Sequence, residues 1–90
     1  MAIGVYFHPK SLSAVQYDQA NRELEAAGAG NPAARIHRSC FGPDGDLMVY
    51  EVWESQQAFE DYGKALMPIL QKIGIDPGTP DIMPVHNLAV

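Results

Sequence analysis

Apolar and polar positions fall into two alternating periods along the chain. Ile3 to His8 carries bulk on both sides of a two-residue repeat. Ile3, Val5 and Phe7 lie on one side, Tyr6 and His8 on the other, and Pro9 ends the run. That pattern predicts a strand buried on both faces. From Ser13 the period lengthens. Tyr17, Ala20, Leu24 and Ala27 fall at helical spacing, and Ser13 with Gln16 has the spacing of a capping box, so a helix is expected from Ser13 to about Ala27. Gly28 and Gly30 end it, and Asn31-Pro32 makes a loop. Arg35 to Phe41 and Leu47 to Trp53 read as two strands of a hairpin, joined by the turn Gly42-Pro43-Asp44-Gly45. Ser55 caps a second helix, Gln56 to Ile73, with an apolar stripe of Phe59, Tyr62, Leu66, Ile69 and Ile73. Pro68 inside that stripe predicts a kink or break near Ala65 to Met67, opening space above the sheet near Trp53. Gly74 closes the helix, residues 76–80 form a stiff connector, and Ile82 to Leu88 reads as the last strand.

The order strand, helix, strand, strand, helix, strand predicts an α+β, ferredoxin-like βαββαβ domain over residues 1–90, with both helices on one face of a four-stranded antiparallel sheet. With right-handed crossovers, the first and third strands are expected side by side and parallel in the centre. Composition sharpens this picture. Hydrophobic residues make up 47% of 90 residues, enough for a packed core, yet a chain of this length is marginal alone. The uncovered sheet face carries too much apolar surface for water, which predicts a homodimer closed face to face. A net charge of −5 argues against nucleic acid and anionic membranes as partners. One cysteine, Cys40, excludes an intrachain disulfide and reads as a buried, inert thiol. Without an apolar run of membrane length or a signal-peptide pattern, a cytoplasmic protein is expected.

The stretch Val49-Tyr50-Glu51-Val52-Trp53-Glu54-Ser55-Gln56-Gln57-Ala58-Phe59 resembles the strand-to-helix signature of the dimeric α+β barrel superfamily, in the branch of the antibiotic biosynthesis monooxygenases. Pro84-Val85-His86-Asn87 is similar to the terminal strand of small members. The resemblance implies a dimer whose sheets close into a barrel. It spans activities from quinone-forming monooxygenases to haem-degrading enzymes, isomerases and stress proteins, and fold alone does not choose among them. Haem-degrading and many monooxygenase-like members carry a helix histidine ten residues after the Trp, where this chain has Gly63; the first-strand asparagine of the haem degraders has no clear match either. The expectation is no haem of that kind and no other cofactor.

With the first and third strands parallel, His8 and Trp53 are expected to share one end of the sheet with Arg35 and His37. His8 and Glu51 are then the candidate acid–base pair, since a histidine titrates near neutrality and a mid-strand carboxylate can be tuned by burial. Trp53, Tyr62, Tyr6 and His37 are candidates to line a site for a small aromatic or apolar ligand. Each has a plainer reading as core, ion-pair or surface residue, and His86 reads as sheet packing or a dimer contact. No metal site is expected, because no two ligands stand at helical or hairpin spacing. Nucleotide-binding and serine-hydrolase motifs are absent from the sequence. Two functions follow: a cofactor-independent, monooxygenase-like or isomerase-like enzyme or binder, or a non-catalytic homodimeric stress or accessory protein.

Overall fold

The chain runs β1 (Ile3–Phe7), α1 (Ala14–Ala26), β2 (Arg35–Phe41), β3 (Met48–Trp53), α2 (Gln56–Ile73) and β4 (Asp81–Pro84) in a computed structural model that describes residues 1–89. Local chemistry sets the boundaries. The Ser13 side chain accepts from Gln16 N while Gln16 reaches back to Ser13 N, closing the expected capping box at the start of α1. Ser55 accepts from Ala58 N at the start of α2, and Gly74 ends that helix in the left-handed conformation that glycine adopts without strain.

The sheet order is β2-β3-β1-β4, and every neighbouring pair is antiparallel. Two expectations are corrected here. First, β1 and β3 are antiparallel, with Ile3 opposite Trp53 and Phe7 opposite Val49. The crossover through α1 makes β1 parallel to β2, and the hairpin then inserts β3 between them, running the opposite way. Second, the sheet is open and is no barrel: β2 and β4 each have one neighbour and end as edges. Four twisted strands of four to seven residues are too few to curl round and pair their own edges.

Two smaller differences follow from proline. α2 is continuous through Pro68, so of the expected kink or break the helix shows no break. Pro68 lies on the exposed side beside Lys64, whose unpaired carbonyl can be solvated, while Tyr62, Leu66, Ile69 and Leu70 anchor both halves. β4 stops at Pro84 instead of reaching Leu88, although Val85 N still donates to Ala2 O at 3.0 Å.

Both helices pack on the face carrying Ile3, Val5, Phe7, Val49 and Trp53, where Ala20, Leu24, Tyr62 and Leu70 complete the core. The uncovered face carries Gly4, Tyr6, Tyr50 and Val52. The Tyr50 ring end lies across Gly4: a Cβ there would stand 2.8 Å from the hydroxyl, so any side chain would push Tyr50 aside. In β2, the register shifts between Arg35 and His37, with Arg35 opposite Trp53, His37 opposite Val52 and Arg38 opposite Glu51. Ile36 is the extra residue of this bulge. In a regular strand, residues 35 and 38 point to opposite faces; the bulge turns both arginines to the helix side.

Candidate functional site

On the helix side the strands present side chains in rows across the sheet. One row is Ile3, Trp53 and Arg35; the next is Val5, Glu51 and Arg38; the third is Phe7, Val49 and Cys40. Glu51 therefore sits in the middle of the covered face, and only 3% of it is exposed. Its Oε1 accepts a hydrogen bond from Trp53 Nε1 at 3.1 Å, two residues along the same face. Burial pushes the Glu51 carboxyl above the ordinary carboxylate range, with the Trp53 hydrogen bond and the two arginines opposing more weakly.

Glu51 lines a cavity of about 60 Å³ between the sheet and the helices. Phe7, Leu24, Val49, Leu70 and Ile75 make its apolar wall, and Tyr17, Asn21, Arg38 and Leu66 form its less buried side. Tyr62 also lines it, and burial together with the Glu51 charge raises the phenol's pKa. Beyond Glu51 lies an aromatic wall. Trp53 packs against Tyr62 at 4.9 Å and edge-on to Phe59 at 5.9 Å, and the Arg35 guanidinium stands 6.0 Å from the Trp53 ring and 5.8 Å from the Tyr62 ring. At the opposite end, the loop after β1 is stitched to the hairpin turn. Leu47 N donates to Leu12 O, Ala14 N to Asp44 Oδ1, and the His8 ring lies 2.9 Å from Asp46 Oδ1.

The six candidates divide between the two faces. Glu51, Trp53 and Tyr62 come together beneath the helices. Tyr6 and His37 lie on the uncovered face, His37 against Tyr50 at 6.4 Å. His8 is exposed and pairs with Asp46 at the far end of β1, roughly 17 Å along the strands from Trp53 at about 3.3 Å per residue. The antiparallel order of β1 and β3 is what separates them. Sequence pattern alone does not place Arg38 and Asn21 at the cavity. Asn21 is legible afterwards as a polar residue on the buried stripe of α1, between Tyr17 and Leu24; Arg38 depends on the bulge.

A second depression, about 380 Å³, lies on the uncovered face between Tyr6, Tyr50, Met83 and His86. It holds no buried titratable group, and its rim belongs to an edge strand exposed along its whole length. None of the three histidines lines the helix-side cavity, so it offers no histidine to a haem iron. Among the described residues no three metal-ligating side chains converge, and no helix is long and apolar enough to cross a membrane.

No family model matches the chain, and no curated protein is significantly similar to it in sequence. Its architecture is similar to that of several solved structures. SnoaB, a cofactor-independent oxygenase from Streptomyces nogalater, superposes with a TM-score of 0.66 at 11% identity, over 97% of this chain and 94% of that one. A candidate antibiotic biosynthesis monooxygenase from Caulobacter crescentus gives 0.66 at 19% identity, over 98% and 91%. Another from Chloroflexus aurantiacus gives 0.64 at 13%, over 99% and 98%. At such identities the likeness is one of fold: the ferredoxin-like fold of the antibiotic biosynthesis monooxygenases, matched along nearly the whole length.

Proposed function

We propose that the protein is a cofactor-independent, monooxygenase-like enzyme whose site is the cavity between the sheet and the helices, acting on a small aromatic substrate. The observation that carries this reading is Glu51, a carboxyl buried in an apolar cavity and held by a single indole hydrogen bond. A carboxylate there costs several kcal/mol of desolvation unless it is neutralised, so a fold needs a reason to keep it. Raised above its ordinary range, Glu51 is a stronger base when ionised and a donor when protonated. It would take the proton from an activated C–H of a hydroxyaromatic ring system. The carbanion would then react with dioxygen, and the same carboxyl would return a proton as water leaves. The balance is R₂CH₂ + O₂ → R₂C=O + H₂O, with the substrate carbon oxidised and dioxygen reduced. The fold likeness to a cofactor-independent oxygenase supports this class without fixing the substrate. His8, exposed and bound to Asp46, has no part in the step.

We infer also that a second copy of the chain covers the uncovered sheet face. Met83 is 59% and Phe41 47% exposed, beside Tyr6 and Tyr50, an apolar surface unusual for a monomer of this size. The alternative, a non-catalytic homodimeric accessory protein, is favoured by one observation: a cavity of about 60 Å³ is small for a substrate. Oxygen uptake with a panel of hydroxyaromatic ketones, without added metal or flavin, separates the two. The enzyme reading predicts uptake with at least one substrate, falling roughly 100-fold or more in Glu51→Gln. Uptake indifferent to Glu51→Gln, or none at all, supports the alternative.

A further inference from the structure

Arg38 and Glu51 face each other directly across β2 and β3, on the same side of the sheet and beside the same cavity. They do not pair. Glu51 is bound to Trp53 Nε1, the Arg38 guanidinium lies 5.5 Å over the Tyr17 ring, and neither is in a salt bridge among the described residues. Arg35 has no carboxylate either; its Nη2 donates to Gly30 O at 3.0 Å, and its buried Nη1 has no partner. Among the described residues, Arg38 is thus the one guanidinium lining the cavity, and no carboxylate pairs with it there. The chain as a whole has the opposite sign, with a net charge of −5. Arg38, turned inward by the Ile36 bulge, lies at the less buried side of an apolar cavity.

We propose that the cavity selects a single-ring phenol bearing a carboxylate, with Arg38 as the group that binds the carboxylate. This rests on the reading above that the cavity is the aromatic site, and it adds charge and size to it. The guanidinium fork matches a carboxylate with two parallel hydrogen bonds, which a phenol or neutral ketone cannot reproduce. Size follows from volume. A cavity of about 150 Å³ takes benzene, so at about 60 Å³ even one ring requires the half-buried Tyr17 and Leu66 to yield, and a fused polycycle requires far more. With the ring against Leu24 and Leu70 and its carboxylate on Arg38, the phenol end lies toward Glu51.

The chain has one tryptophan, so its indole N–H gives one proton–nitrogen resonance, and that group is hydrogen-bonded to Glu51. Titrating phenol and 3-hydroxybenzoate while following this resonance tests the proposal. For wild type, 3-hydroxybenzoate is expected to bind at least roughly tenfold tighter than phenol, and the advantage should vanish in Arg38→Gln while phenol affinity changes less than about twofold. Arg38→Lys, which keeps the charge but loses the fork, should fall between them and serves if the Gln variant does not fold. Equal affinity of both ligands for wild type, each shifting the indole, overturns the anion preference and leaves the cavity reading standing. No indole shift from either ligand at roughly 10 mM overturns both.

Discussion

The two faces of the sheet are built from the same strands and do different work. Beneath the helices, Ile3, Val5, Val49 and Trp53 pack to near-complete burial around one carboxyl and a small cavity. On the other face, Tyr50 lies across Gly4 and against His37, Tyr6 and Tyr50 are half exposed, and the depression beside them is wide and has no buried charge. The larger hollow is thus the chemically poorer one. Volume alone points to the uncovered face; burial, the raised Glu51 pKa and the inward arginines point to the covered face. For locating chemistry, what a cavity does to a titratable group decides more than how much space it offers.

The largest test of that contrast is stability. Trp53 is 1% exposed and anchors Tyr62 and Phe59, so Trp53→Ala should cost about 3–5 kcal/mol in urea unfolding. Tyr50→Ala, on the half-exposed face, should cost nearer 1 kcal/mol. Equal costs would mean that the faces are not energetically distinct.

Gly4→Ala should cost about 1–3 kcal/mol, because the new methyl displaces the Tyr50 hydroxyl end from its place across β1. Most of that cost should disappear when Tyr50→Ala is combined with it, a coupling readable in a double-mutant cycle. Additive costs would show that Gly4 serves some other need.

The Glu51 carboxyl gives a pH signature with a definite sign. Its folded pKa lies above the unfolded one, so the folded state holds the proton more tightly. Stability from this group is present below the ordinary carboxylate pKa and is lost as pH rises toward the folded value. Glu51→Gln, neutral at every pH, should therefore lack this loss and gain stability relative to wild type as pH is raised from about 4 to 8. A parallel pH dependence in the two proteins would show Glu51 to be unshifted.

The smallest effect concerns His8. Its ion pair with Asp46 is about half exposed on both sides, so His8→Ala should cost less than about 1 kcal/mol and leave oxygen uptake unchanged. A loss of activity would return His8 to the site.

Much of this fold is legible in the chain, and the failures share one cause. The periodicities place β2 and α2 at their observed bounds, and the serine caps carry their own hydrogen-bonding logic. Glu51, Trp53 and Tyr62 can be grouped, because residues 51 and 53 share a face of one strand and Tyr62 lies on the buried stripe of the next helix. What fails is pairing between distant segments. The direction of β1 against β3 is a matter of chain path, not of local pattern, and it alone moves His8 away from Trp53. The bulge at Ile36 leaves no mark in the alternation of residues 35–41, yet it decides that Arg38 meets Glu51. Closure of the sheet is implied by family likeness alone, and the single chain has two free edges instead.

The most direct test of the division between the faces is a backbone amide NMR titration with 3-hydroxybenzoate. Shifts are predicted at Asn21, Arg38, Glu51, Tyr62 and Leu66, with Gly4, Tyr6, Tyr50 and His86 unmoved. Shifts confined to Gly4, Tyr6, Tyr50 and His86 would place the ligand on the uncovered face and contradict the account.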